Sequence, residues 1–273
     1  MANSGSTVPA DAHLSFEEMA GFYDLFTAHH DYELWFSHLL PALAALGLGR
    51  PGRLLDVGCG TGKSFLPMLG RGWEVTACDL SESMVERARQ KAGGEARLAV
   101  ADMRELPAFG EFDLVWALDD AVNYLSDEDE LAAALGGMAA NLAGGGLLAF
   151  DVNTLLTYRT FYVETDEREL DGWRLRWRGR SAPDLPPGSL FEADFEVERA
   201  GGPGGEGAVV SAATHRQRHF LPGQVRGALA RAGLECLGEY GIGFDAAMRR
   251  PLDEALHTKA IFIARPAPRS LSG

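Results

Sequence analysis

Five short apolar runs mark the middle of the chain: "GRLLDVG", "WEVTACDL", "ARLAVADM", "FDLVWALDD" and "GLLAFDVN". Each is nearly continuous in apolar residues, as a strand covered on both faces requires. Helical stretches separate most of them. "SESMVERARQKA" offers Ser81 as an N-cap. "SDEDELAAALGGMAANLAGGG" offers Ser126 as a cap, places Leu131, Leu135, Met138 and Leu142 on one face, and ends in glycines. Strands alternating with helices predict a doubly wound α/β domain on a parallel sheet.

The rhythm changes from about residue 155 to 220. "GWRLRWRGR" sets Trp173, Leu175 and Trp177 against Arg174, Arg176 and Arg178. "LFEADFEVE" sets Phe191, Ala193, Phe195 and Val197 against Glu192, Asp194, Glu196 and Glu198. Period-two alternation predicts half-buried antiparallel strands, whose polar faces would pair Arg with Glu. "AVVSAATHRQRHF" supplies a third strand, and "AGGPGGEGA" a turn or loop. A small antiparallel sheet is therefore expected inside the main domain. Beyond it, "LPGQVRGALARAGL" reads as a helix. "ECLGEYG" and "TKAIFIARP" read as strands, antiparallel neighbours at the sheet edge. Toward the N-terminus, Ser15 and Glu18 fit a capping box. A second helix runs from about Asp31 and is kinked or divided by Pro41.

Composition narrows the partners. The chain has 273 residues and a formal charge of -14. An acidic surface repels phosphate backbones and anionic membranes, so no nucleic-acid or membrane partner is expected. Cys59, Cys78 and Cys236 form no CxxC pair and have no His at metal-ligand spacing. They read as free thiols in a reducing compartment, with no metal site. No basic-then-apolar leader and no membrane-length run is present, which gives the expectation of a cytoplasmic protein.

Candidate chemistry gathers at the strand ends. "LLDVGCGTGKSF" places Gly58, Gly60 and Gly62 directly after the first strand of the α/β domain, where the backbone can pass close to a ligand. Asp79 ends the next strand, 19 positions beyond Gly60 (79 minus 60). An acid there can accept ribose hydroxyls, so a nucleoside-containing ligand is expected. The spacing is GxGxG, unlike a dinucleotide fingerprint, and no P-loop is present. A tight turn with no ligand is the alternative. Asp119 and Asp120 end the fourth run, where an acid pair is either a solvent-facing turn or part of a site.

"LLDVGCGTG" resembles the signature of class I S-adenosylmethionine-dependent methyltransferases. The resemblance covers about residues 16–266 and is most specific over 53–154. It is greatest to small bacterial enzymes acting on small molecules, among them amino-sugar N-methyltransferases of antibiotic pathways. It implies a seven-stranded Rossmann-like core at 51–154 and 221–267, lid helices at 15–50, and an inserted sheet at 155–220 for substrate or dimer contact. The tails would be 1–14, disordered, and 268–273. It implies methyl transfer from S-adenosylmethionine to nitrogen or oxygen of a small molecule, with S-adenosylhomocysteine as product. A homodimer is compatible with it. A cofactor-binding protein that transfers nothing, or a nicotinamide enzyme, are the alternatives.

The cofactor residues implied are Tyr23, Tyr32, Asp56, Gly58, Cys59, Gly60, Gly62, Asp79, Leu80, Met84, Asp102, Met103 and Leu118. Asp102 and Met103 would frame the adenine, and Tyr23 and Tyr32 would close over the methionine end. Aromatic faces suit a sulfonium, although Trp35 in the same segment reads as packing. A hydroxyl acceptor needs a base during transfer, whereas a neutral amine loses its proton afterwards. Candidate catalytic groups are Asp119, Asp120 and His215. His30, Asn123, Tyr124, Tyr158 and His219 are candidate substrate contacts.

Overall fold

The computed structural model describes residues 16–199 and 208–268. The expected tail at 1–14, the Ser15 cap and most of the glycine-rich loop lie outside them. A helical stretch at 16–19 precedes α1 (Tyr23–Phe26) and α2 (Tyr32–Ala45). Asp31 caps α2, accepting from Leu34 N at 3.0 Å. Pro41 lies inside α2 without dividing it.

The parallel strands are β1 (Arg53–Val57), β2 (Glu74–Asp79), β3 (Ala96–Val100), β4 (Phe112–Ala117) and β5 (Leu142–Asn153). The intervening helices are α3 (Leu66–Leu69), α4 (Glu82–Ala92) and α5 (Glu128–Ala140). Ser81 caps α4 as expected, accepting from Met84 N at 3.1 Å. Two sequence readings at α5 are corrected. Asp127 caps the helix, accepting from the backbone N–H groups of Asp129 and Glu130, so it begins one residue later than a Ser126 cap implies. Leu142 is the first residue of β5 and not part of the helix face.

After β5 come α6 (Leu155–Phe161), β6 (Thr165–Leu170), β7 (Trp173–Gly179), β8 (Leu190–Arg199) and β9 (Val209–Arg218). The chain returns through α7 (Pro222–Arg231), β10 (Leu234–Ile242), β11 (Met248–Arg249) and β12 (Lys259–Pro266). The main sheet has eight strands in the order β11-β10-β12-β5-β4-β1-β2-β3. The eighth is the two-residue β11, which sequence reading missed. β10 and β12 are antiparallel neighbours as expected, but β11 covers the outer edge of β10, and β12 lies between β10 and β5, antiparallel to both.

Strand pleating separates two cores. Leu55, Val57, Val115, Phe150 and Phe262 face α5 and α7. Leu54, Leu114, Trp116, Ala149 and Ile261 face α2 and α4. Strand order reverses between β1 and β4, and the carboxyl ends of these strands open there.

The second sheet is antiparallel, ordered β6-β7-β8-β9. Its register pairs Arg174 with Glu198, Arg176 with Glu196 and Arg178 with Asp194. β6 was not foreseen, because all six of its residues are exposed and give no alternation. The other face of this sheet buries Leu175, Phe195 and Val197 against Met19, Phe22 and Phe26. Residues 16–26 are thus held by the inserted sheet on one side, with Phe26 stacked on Trp177 at 5.6 Å. No helix among the described residues is long and apolar enough to cross a membrane.

Candidate active site

The loop after β1 takes a path that needs glycine. Gly58 has φ +74°, and a Cβ there would lie 2.9 Å from the Cβ of Ala121. Gly60 has φ +53°, and a Cβ there would face the Tyr23 ring at 3.6 Å. Asp79 braces the loop. It accepts from Gly60 N at 2.8 Å and from Ser81 N at 2.9 Å. Burial raises its pKa against these two donors.

A cleft of about 1050 Å³ lies over this loop. Tyr23, Tyr32, Gly58, Cys59, Gly60, Asp79, Leu80, Met84, Asp102, Met103 and Leu118 all line it. Asp56 and Gly62 do not. A Cβ on Gly62 would meet the Phe65 ring at 3.0 Å, so that glycine serves packing under the loop. Asp56 is wholly buried, and burial pushes its carboxyl up to about 7. It accepts from the Ser64 hydroxyl, and Ser64 itself lines the cleft. Asp56 therefore reaches the cleft only through Ser64. Asp102 pairs with Arg104, whose Nε lies 2.9 Å from Oδ1, and Arg104 also meets Glu130 at 3.2 Å. Sequence reading missed Arg104, Glu130, Ser64 and Phe16 in this wall.

The segment 16–30 closes over the cleft. Thr61 donates to Asp24 at 2.6 Å, Lys91 pairs with Asp24 at 2.5 Å, and Lys63 donates to the Thr27 hydroxyl at 3.0 Å.

The two acids after β4 are not a solvent turn. Both adopt the left-handed region, with φ +64° at Asp119 and +55° at Asp120. Their backbone N–H groups donate to the two oxygens of buried Asp151, at 2.6 and 3.0 Å. Lys259 lies 3.2 Å from Asp119, 2.5 Å from Asp120 and 3.0 Å from Asp151. Burial opposes its charge, but the three carboxylates outweigh burial and hold its pKa well above the usual lysine value. Burial likewise opposes ionisation of Asp119. The Lys259 ammonium and His30 outweigh it and hold that carboxyl well below the ordinary range. Asp151 answers mainly to burial, which raises its pKa to about 6. Asp120 is raised as well, by burial and by Asp119 beside it. Neither Lys259 nor Asp151 was foreseen. The signals were an acid ending the fifth apolar run and a lysine opening the last strand.

Asp119 and Asp120 have different surroundings. Asp119 accepts from Tyr32 at 3.3 Å, meets His30 Nδ1 at 2.8 Å, and lines the cleft. Asp120 turns away, to Lys259 and the Gln217 amide, and lines no part of it.

Several expected site residues are placed elsewhere. His215 faces inward on β9, bonded to Tyr124 at 2.8 Å and packed among Phe16, Trp177 and Phe195. Burial lowers its pKa to about 4, so it is a neutral partner for Tyr124 and not a base at the cleft. Tyr124 does line the cleft. Tyr158, Asn123 and His219 have no exposed surface and line neither this cleft nor a second one beside it. Asn123 ties β5 to β9 by bonds to Asn153 N and Arg218 O, both within 2.9 Å. Tyr158 bonds Gln217, and His219 spans Gly188 N and Glu254 just beyond β9. Trp35 lines a second cleft and not the first.

Residues 54–146 match a family model described as a methyltransferase domain. The match spans β1 through the start of β5, the stretch that forms most of the glycine-loop cleft. A protein of Geobacillus sp. (strain WCH70) named as a methyltransferase is 33% identical over 156 residues, 56% of this chain and 62% of that protein. The chain thus spans somewhat under two thirds of that relative. Two solved structures share the fold. An S-adenosylmethionine-dependent methyltransferase from Clostridium acetobutylicum has a TM-score of 0.74 at 21% identity, covering 93% of this chain and 99% of that one. A sugar N-methyltransferase from Streptoalloteichus sp. has a TM-score of 0.70 at 24% identity, covering 98% and 99%. The stretch matched by the family model thus lies in a sheet architecture that those two structures share.

Proposed function

We propose that the chain is an S-adenosylmethionine-dependent methyltransferase acting on nitrogen or oxygen of a small molecule, in bacterial secondary metabolism. The observation that carries this reading is the position of Asp119. It stands in the wall of the glycine-loop cleft and in the wall of a second cleft of about 1080 Å³. Two ligands, one per cleft, would meet at that carboxylate. The sugar N-methyltransferase named above is similar in fold and favours nitrogen as acceptor.

The residues present fit the cofactor. Gly58 and Gly60 leave backbone where a Cβ would intrude. Asp79 keeps carboxylate lone pairs beyond its two backbone bonds for ribose hydroxyls. Met103 and Leu80 give flat apolar contact for a base, and Tyr23 and Tyr32 bring aromatic faces near Asp119. S-adenosylmethionine bound there would supply a methyl group activated by a sulfonium. The chain's part is then positioning and exclusion of water. The Asp24, Thr27 and Lys63 contacts shut the segment 16–30 against the glycine loop. The anionic Asp119 balances positive charge at the meeting point of the clefts.

A thermal-shift comparison tests this reading. S-adenosylhomocysteine should raise the melting temperature, whereas NADH should not. A shift with NADH alone would favour a nicotinamide enzyme instead.

A further inference from the structure

The second cleft has its own chemistry. Tyr32 and Trp35 come from α2, Phe161 from the end of α6, and Phe244 from the loop after β10. Phe244 is 71% exposed and Phe161 44%, so its mouth presents unpaired apolar rings to solvent. Its floor is electrostatically one-sided. Asp31 and Asp119 line it beside the single ammonium of Lys259, and Asp245, paired with Arg249, lines it too, an excess of acid that attracts a cation. Rings beside an acidic floor suit a cationic group carried on a flat body.

His30 also lines this cleft, and its bond to Asp119 fixes its chemistry. Asp119 is held ionised by Lys259 and His30, so it can only accept. The hydrogen in that contact therefore sits on Nδ1 of His30. In the neutral ring, Nε2 is then the lone-pair nitrogen, and it has no hydrogen-bond partner among the described residues. The other groups nearby are Tyr32 and Lys259 on Asp119, and the His29 ring 4.4 Å from that of His30. His29 accepts from Arg168 at 3.1 Å, and burial lowers its pKa to about 4, so it contributes no charge near neutral pH.

We propose that the second cleft admits a ring-borne primary amine as methyl acceptor, and that His30, oriented by Asp119, removes a proton from its ammonium. This rests on the methyl-transfer reading above. An ammonium has no lone pair to attack with. Its N–H bond breaks, the proton passes to Nε2 of His30, and a neutral amine results. The freed lone pair forms the new N–C bond as the S–C bond breaks, with that electron pair staying on sulfur. The methylated ammonium then releases its second proton to solvent. Asp119 stabilises the imidazolium throughout.

Nitrogen-15 NMR of histidine-labelled full chain, saturated with S-adenosylhomocysteine, tests the assignment. His30→Gln identifies the signals. Neutral His30 should carry its proton on Nδ1, with Nε2 unprotonated, and Asp119→Asn should remove that preference. A proton on Nε2 in the complex overturns the base assignment. Benzylamine and benzyl alcohol then probe the acceptor class. Benzylamine should shift the His30 signals at a concentration about tenfold lower than the alcohol, a difference of about 1.4 kcal/mol. Equal or tighter binding of the alcohol overturns the amine. Failure of S-adenosylhomocysteine to bind at all overturns the underlying reading instead, so the two failures are distinct.

Discussion

Lys259 on the last long strand stands 3.0 Å from Asp151 on β5, and this pair holds the turn that carries Asp119 and Asp120. Asp151 fixes the backbone of the turn, and Lys259 neutralises part of the charge that gathers there. Removing the lysine would leave buried carboxylates without their cation. Lys259→Met should lower unfolding free energy by about 3–5 kcal/mol, the cost of orphaning a buried ion-pair partner. Denaturant melts measure it. A loss below about 1 kcal/mol would mean that solvent reaches the cluster.

Asp56 gives stability a pH dependence of known sign. Its folded pKa, about 7, lies above the ordinary 3.8, so the folded state holds the proton more tightly. That contribution is fully present below about pH 4 and is lost as pH rises through about 7. The displacement corresponds to roughly 4 kcal/mol. Asp151 has the same sign up to about pH 6. The difference between wild type and Asp56→Asn isolates Asp56. The variant should gain stability relative to wild type between pH 4 and 8. A difference that stays flat over this range would contradict a carboxyl whose charge is opposed by burial.

Gly58 is the tightest point of the loop. Gly58→Ala combines a positive φ with a Cβ 2.9 Å from Ala121. It should cost about 1–3 kcal/mol and weaken S-adenosylhomocysteine binding. Melts and calorimetry check both effects, and unchanged affinity would separate the loop from the ligand.

The Arg–Glu ladder on the inserted sheet is expected to matter little. Arg176 meets Glu167, Glu196 and Glu198 within 3.4 Å, but all four side chains are partly solvated. Arg176→Met should change stability by less than about 1 kcal/mol. A loss of several kcal/mol would show that the ladder acts as a cooperative network.

The parts legible in the sequence were those set by local pattern. Apolar runs gave all five parallel strands: β1, β2, β4 and β5 are largely buried, and β3 at the sheet edge keeps an apolar run although none of its residues is fully buried. Alternation gave β7, β8 and β9 because each has one wet face. Where pattern was uninformative, reading failed. β6 is exposed throughout, so nothing alternates. Ser126 and Asp127 are equally good caps, and only the backbone path selects Asp127. The acid pair was placed correctly at the strand ends, but the cation it meets was not legible. Lys259 lies 108 residues from Asp151 and 139 from Asp120. Those contacts exist only because β12 returns antiparallel beside β5. His215 was misjudged for a related reason. Period two gives its face, but not that Phe16 and Trp177 would seal that face.

The central claim is that the glycine-loop cleft holds an adenosyl cofactor above Asp79, with Asp119 at the junction to the acceptor. A crystal structure of the full chain with S-adenosylhomocysteine tests it most directly. The ribose hydroxyls should lie within hydrogen-bond distance of Asp79, with the adenine against Met103. A ligand bound elsewhere, or a ribose out of reach of Asp79, would contradict the account.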